Sequence, residues 1–246
     1  RHILPFFIPH EGCPHQCVFC NQKKISGQVQ APTAEEITKT IQNISGYQPE
    51  IAFYGGSFTA IPIEKQIYYL QPAWSALQQG QISGIRLSTR PDAIDDKVIQ
   101  NLLAYGVDTV ELGVQSFTDS VLQLSGRGHN ADRVEKAVAQ LHDYGIAVGL
   151  QLLPGLPGDN RQFCLQGVQK AISLQPDFVR IYPALVVDAT PLADLWRTGA
   201  YQALSLTEAV TICQDMAVLF GLAHVPVIRF GLQPTAELRQ SVLAGP

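Results

Sequence analysis

Apolar residues along the chain fall into two patterns that take turns. Short apolar runs at Leu4 to Pro9, Ile51 to Tyr54, Ile85 to Ser88, Val107 to Leu112, Ala147 to Leu153, Phe178 to Tyr182 and Val225 to Phe230 predict strands. Between them, apolar residues recur at helical spacing. Thr33 and Glu36 have capping-box spacing ahead of Ile37, Ile41 and Ile44. Val98, Leu102 and Tyr105 line one side of a helix that Gly106 stops, and the same junction returns at Tyr144, Gly145 and Ile146. Asp159 is expected to cap a helix carrying Cys164, Val168, Ala171 and Ile172, and a long helix from about Leu206 to Phe220 is expected to stop at Gly221. Strict alternation of this kind implies one α/β domain over residues 1–246. Its parallel sheet is expected to curve into a full or partial (β/α) barrel with helices outside, and an open doubly wound sheet is the competing arrangement. Every polar or glycine-rich motif follows a strand and precedes a helix, so the motifs share one rim.

Composition narrows the class. The longest apolar stretches, around Leu150 to Leu156 and Val218 to Ile228, are interrupted by Pro, Gly, Gln or His well short of a membrane span. No basic segment followed by an apolar core opens the chain, so a cytoplasmic protein without a membrane partner is expected. A formal charge of −4 offers phosphate backbones no bulk attraction. Lys23 and Lys24 are either a small electropositive lip or a solvated turn. Of the 5 cysteines, Cys13, Cys17 and Cys20 are crowded into one short loop, a layout that suits metal ligands better than a disulfide framework.

The three cysteines stand at C-x3-C-x2-C spacing directly after the first strand. Thiolates hold iron–sulfur clusters, and a four-iron cluster on three cysteines keeps one iron open for chemistry. A zinc-stabilised binding module, with His10 or His15 as the fourth ligand, is the alternative. An electron-transfer protein would want a fourth cysteine, and none is near in sequence. Cys164 and Cys213 fall on apolar helical stripes and read as small buried hydrophobes. Tyr68, Tyr69 and Trp74 read as helix packing, and His129, just before a helix start at Asn130, as a local structural group.

With Phe19 before the third cysteine, this spacing resembles the radical S-adenosylmethionine superfamily. Ser88-Thr-Arg-Pro-Asp92, Glu111-Leu-Gly-Val-Gln-Ser116, Arg127-Gly-His129, Leu153-Pro-Gly-Leu-Pro-Gly158 and Ile181-Tyr-Pro-Ala-Leu185 occur in the order seen in one branch of it. That branch is the radical domain of the Elongator catalytic subunit and its compact bacterial relatives; oxygen-independent coproporphyrinogen oxidase is a more distant likeness. The resemblance implies a four-iron four-sulfur cluster on Cys13, Cys17 and Cys20, and S-adenosylmethionine cleaved reductively to a 5′-deoxyadenosyl radical that abstracts hydrogen. By position it assigns Gly55, Gly56 and Ser57 to the methionine amino group, and Gln115 and Arg127 to the ribose and carboxylate. An amide can bond hydroxyls and a guanidinium can clamp a carboxylate, although Arg127 could equally be a surface arginine. Ser88 and Gln151 stand where relatives carry acidic residues, so the polar shell around the cofactor departs from theirs. The implied partners are a low-potential electron donor of the flavodoxin or ferredoxin type and a substrate that is either tRNA or a small metabolite. No acetyltransferase domain is recognisable in residues 1–246.

Overall fold

The computed structural model describes residues 2–9, 11–13, 17–27 and 30–246. In chain order the strands are β1 (Ile3–Ile8), β2 (Glu50–Gly55), β3 (Gly84–Thr89), β4 (Val107–Gln115), β5 (Ala147–Leu152), β6 (Phe178–Ile181), β7 (Val186–Val187), β8 (Val227–Phe230) and β9 (Val242–Ala244). Seven of them form one parallel sheet in the order β1-β2-β3-β4-β5-β6-β8. Strand order follows chain order, so every crossover steps the same way. A doubly wound sheet, which starts in the middle and steps outward in both directions, is therefore excluded.

The sheet curls strongly. Tyr54 on β2 and Arg180 on β6 meet at 3.0 Å, although a flat sheet would hold strands four places apart at roughly 19 Å. The result is a half-barrel with β1 and β8 at its two edges. Period-two alternation assigns the faces. Ile51 and Phe53, Ile85 and Leu87, Val110 and Leu112, Val148 and Leu150, and Val179 and Ile181 pack outward into the buried core. Against them lie Ile37, Ile41, Leu70, Leu102, Leu141, Val168 and Phe220 from the surrounding helices. The intervening residues face the lumen and are largely polar or charged.

Thr33 caps the first long helix, Ala34–Gln42, in a reciprocal capping box: Glu36 N–H donates to Thr33 Oγ1 at 3.2 Å and Thr33 N–H to Glu36 Oε2 at 2.8 Å. Helix Arg161–Ser173, by contrast, is capped by Asn160 rather than Asp159. The Asp159 carboxylate is already engaged, accepting from Gly155 N–H at 3.0 Å and Asn160 N–H at 2.9 Å, so it braces the preceding turn. The long helix Leu206–Leu222 runs through Gly221. β4 extends to Gln115, three residues beyond the expected strand end. Beyond the expected elements, a short helix Gln22–Ser26 follows the cysteines, and a C-terminal helix Ala236–Ser241 packs against it. β7 and β9 pair antiparallel beside them. Among the described residues no helix is long and apolar enough to cross a membrane.

Candidate active site

The cysteine loop lies at the mouth of the half-barrel and is tied down by backbone bonds. Val18 N–H donates to Ser125 O at 3.1 Å, Leu192 N–H to Val18 O at 2.9 Å, and Cys20 N–H to Cys17 O at 3.1 Å. Asn21 then starts helix Gln22–Ser26, its side-chain oxygen accepting from Lys24 N–H at 3.3 Å. Cys13, Cys17 and Cys20 all line one cavity of about 640 Å³ whose wall continues through Phe19, Gly55, Gly56, Ser57, Ser88, Gln115, Arg127 and Gln151. All eleven residues singled out from the sequence meet there. His10 and His15, the imidazoles of the zinc alternative, lie outside the described residues.

Burial, reinforced by the neighbouring Cys17 and Cys13, pushes the Cys20 thiol up to about 12. The Cys20 thiol therefore resists ionising without a cationic centre to hold its charge. Among the described residues, no three His, Cys, Asp or Glu side chains are gathered closely enough for a single metal ion.

Opposite the thiols, the glycine turn is a place where side chains do not fit. Gly55 sits at φ +115, and a Cβ on Gly56 would fall 1.9 Å from Glu11 O. Gly56 N–H donates to Ile8 O at 2.8 Å and Ser57 N–H to Glu11 O at 2.9 Å. What the turn offers a ligand is therefore carbonyl acceptors. Ser57 is buried, with Oγ 3.5 Å from Cys13 Sγ.

Arg127 is not a surface arginine but 6% exposed. Its Nη1 donates to Cys17 Sγ at 3.2 Å and its Nη2 to Gly113 O, while its own carbonyl accepts from Arg90 Nη2. Arg90 is held in turn by a fork to Asp92, at 2.9 and 3.0 Å. Burial alone would raise the Asp92 carboxyl, but the Arg90 guanidinium outweighs it and holds the group below its usual range. His129 lies behind this pair with a fully buried ring; burial, then the positive Arg127, lowers it to about 4 and keeps it neutral. Gln115 ends β4 with φ 73, a left-handed conformation uncommon for a residue with a side chain. Its Oε1, together with Arg127 Nε and Arg90 Nη1, is buried without a hydrogen-bond partner among the described residues. These polar atoms cluster on one wall of the cavity.

Ser88 and Gln151 lie deeper. Gln151 Nε2 donates to Glu111 Oε2 at 3.2 Å, the edge of a network the motifs did not single out. Glu111 is wholly buried and accepts from Tyr54 OH at 2.8 Å, Arg86 Nη1 at 3.1 Å and Arg180 Nη2 at 3.0 Å, with Arg180 Nε 2.7 Å from its second oxygen. Arg86 also reaches Glu50 at 2.6 Å. The Lys23 and Lys24 lip is half neutralised, because Lys24 Nζ pairs with Asp188 at 2.8 Å. Cys164 is buried with its thiol on Asp159, Cys213 is half-buried, Tyr69 is core, and Tyr68 is exposed but accepts Ala34 N–H at 3.0 Å.

Comparison with known proteins gives this site a context. The Radical SAM superfamily matches residues 7–163, and the Radical_SAM C-terminal domain matches residues 176–246. The tRNA uridine(34) acetyltransferase of Methanocaldococcus jannaschii is 28% identical over 85% of this chain and 47% of its own length. The chain thus spans about half of that relative. In solved structures, Methanocaldococcus infernus Elp3 with an N-terminal deletion matches 99% of this chain and 59% of its own, at TM-score 0.78 and 22% identity. Coproporphyrinogen III oxidase of Escherichia coli matches 91% of this chain and 53% of its own, at TM-score 0.65 and 17% identity. Both structures share the fold. The superfamily match spans well over half of the chain, including all three cysteines, the glycine turn, Gln115 and Arg127, and the chain belongs to the radical SAM superfamily.

Proposed function

We propose that residues 1–246 form one radical S-adenosylmethionine catalytic unit, with a four-iron four-sulfur cluster on Cys13, Cys17 and Cys20 and S-adenosylmethionine between the Gly55–Ser57 turn and the Gln115–Arg127 wall. The observation that carries this reading is one cavity whose wall brings together Cys13, Cys17 and Cys20, the Gly55–Ser57 turn, and Gln115 and Arg127, whose Oε1 and Nε are buried without partners among the described residues. Bound there and reduced, the cluster would supply the electron that cleaves the sulfonium to methionine and a 5′-deoxyadenosyl radical. The chain's own part is orientation. The Gly55–Ser57 turn presents acceptors suited to an amino group, and Arg127, braced by Gly113 O and Arg90, suits a carboxylate. Gln115, held in its unusual backbone conformation, has an amide oxygen for a hydroxyl. The surrounding wall limits the access of water to the radical.

The substrate follows from the relatives' names rather than from charge. Similarity to a tRNA uridine(34) acetyltransferase favours an RNA substrate, with a small metabolite as the competing class. A flavodoxin- or ferredoxin-type donor in the cytoplasm is the matching source of electrons. The test is anaerobic reconstitution with iron and sulfide, dithionite reduction with S-adenosylmethionine, and chromatography for 5′-deoxyadenosine. Wild type should form it and Cys17→Ala should not. Absence of product from a sample holding a four-iron cluster, or zinc in protein isolated anaerobically, would overturn the proposal.

A further inference from the structure

Charge is unevenly answered inside this cavity. Arg86, Arg90, Arg127, Arg180 and Arg229 stand in its wall or directly behind it. Three carboxylates reply: Glu50 to Arg86, Glu111 to both Arg86 and Arg180, and Asp92 to Arg90. Arg127 is turned to Cys17 and Gly113 O. Arg229, on the edge strand β8 at the far side of the cavity from Arg127, has only neutral partners. Its Nε donates to Gly231 O at 3.0 Å and its Nη2 to Gln233 Oε1 at 2.7 Å, and among the described residues no carboxylate lies within ion-pair distance of it. These two bonds fix the plane of a half-buried guanidinium without cancelling its charge.

Tyr182 lines the same stretch of wall, close enough for the charge on Arg229 to act on its phenol. Burial keeps that phenol protonated. Tyr182 OH accepts from Arg180 Nη1 at 3.4 Å, and among the described residues no group accepts its own proton. The Thr235 hydroxyl nearby is already used, donating to Ile25 O and accepting from Leu238 N–H, and Phe7, Leu185 and Leu232 make the rest of the lining apolar. The positive excess lies inside a chain whose net charge is −4. Bound cofactors would bring their negative charge, the thiolate-held cluster and the methionine carboxylate, to the cysteines and Arg127, leaving Arg229 without a counter-charge.

We infer that this far side of the cavity recognises an anionic group on the substrate, a carboxylate or a phosphate, with Arg229 as the specificity-determining residue and Tyr182 as a second donor. The inference rests on the radical reading for the identity of the site, and adds to it the chemical class of what enters. A half-buried guanidinium held in plane by two neutral acceptors gains most from an oxyanion that takes two donors at once.

The experiment uses the full chain, reconstituted anaerobically with its cluster and loaded with S-adenosylmethionine, titrated calorimetrically with inorganic phosphate and, separately, with succinate. At least one probe should bind saturably, and the preferred probe identifies the anion. Arg229→Gln should weaken that binding roughly tenfold or more, as expected for a lost charge-assisted bond, and Arg229→Lys, which keeps the charge but loses the fork, should weaken it less than Arg229→Gln. Binding of neither probe, or binding by Arg229→Gln as tight as by wild type, would overturn the inference. Wild-type 5′-deoxyadenosine formation is followed in parallel. Cleavage without anion binding removes this inference alone, whereas anion binding without cleavage removes the radical reading and leaves an anion site on Arg229.

Discussion

The floor of the half-barrel and its mouth both bury polar atoms without hydrogen-bond partners among the described residues, such as Glu50 Oε1, Arg86 Nε and Arg180 Nε on the floor, and differ in whether their charges are paired. On the floor, Glu111 is surrounded by Tyr54, Arg86, Arg180 and Gln151, and Glu50 adds a second carboxylate to Arg86. Arg86 also lies over the Phe178 ring at 5.4 Å and Arg180 over the Tyr54 ring at 5.7 Å. At the mouth, Cys13, Cys17 and Cys20 line one wall, and the buried Arg127 has a thiol and a carbonyl for partners in place of a carboxylate. A buried charge without a counter-charge is costly, so a folded chain tolerates it where a ligand will meet it. The floor is a cross-brace holding β2, β3, β4 and β6 in a curl; the mouth is a receptor.

The sharpest way to test this contrast is to remove the hub of the floor. Glu111→Ala should cost about 3–5 kcal/mol in urea unfolding of the cluster-free chain, because it leaves the buried Arg180 without a carboxylate. Glu111→Gln should cost less, since the amide oxygen still accepts from one arginine. A loss below about 1 kcal/mol for the alanine variant would mean that water replaces the carboxylate and that the floor is no brace.

The mouth should respond in the opposite sense. Arg127→Lys keeps a positive charge near Cys17 but loses the fork, so stability of the cluster-free chain should change little while S-adenosylmethionine binding to the reconstituted protein weakens roughly tenfold. Thermal shift with and without S-adenosylmethionine measures both. A large loss of stability with unchanged binding would place Arg127 with the floor rather than the receptor.

Much of this arrangement was legible before the fold was known, and the exceptions have physical causes. The seven sheet strands were readable because their outward residues are uninterrupted β-branched and large apolar side chains. That the cysteines, the glycine turn, Gln115 and Arg127 line one cavity was expected from the cysteine spacing and, for the rest, from the family resemblance. The floor was missed because a single charge within an apolar strand has no local signature. The available signal was register: Glu50, Arg86, Glu111 and Arg180 each occupy an inward position of a strand whose other face is core. Helices Gln22–Ser26 and Ala236–Ser241 went unread because segments this short are not stable by propensity and form through contact with one another. Asn160 rather than Asp159 caps its helix because Asp159 is already used by the turn before it, a competition between neighbours that composition does not decide.

The smallest expected effect concerns how the mouth is fastened to the body. Asp188 pairs with Lys24 at 2.8 Å, on the helix that follows the cysteines, and with Arg197 at 2.7 Å. Hydrogen bonds from Lys24, then Arg197, hold the Asp188 carboxyl well below its usual range. A depressed carboxyl stabilises the fold above the unfolded value of about 3.9 and loses that contribution as pH falls through the folded one. The link is solvent-exposed and so screened by salt. Asp188→Asn should therefore speed amide hydrogen exchange in Gln22–Ser26 modestly near neutral pH, less at high salt, and the difference from wild type should shrink as pH falls below about 4. Exchange unchanged by the substitution at low salt would mean that the backbone bonds of Val18 to Ser125 and Leu192 fasten the mouth by themselves, and that the receptor is anchored by main chain, as the floor is braced by side chains.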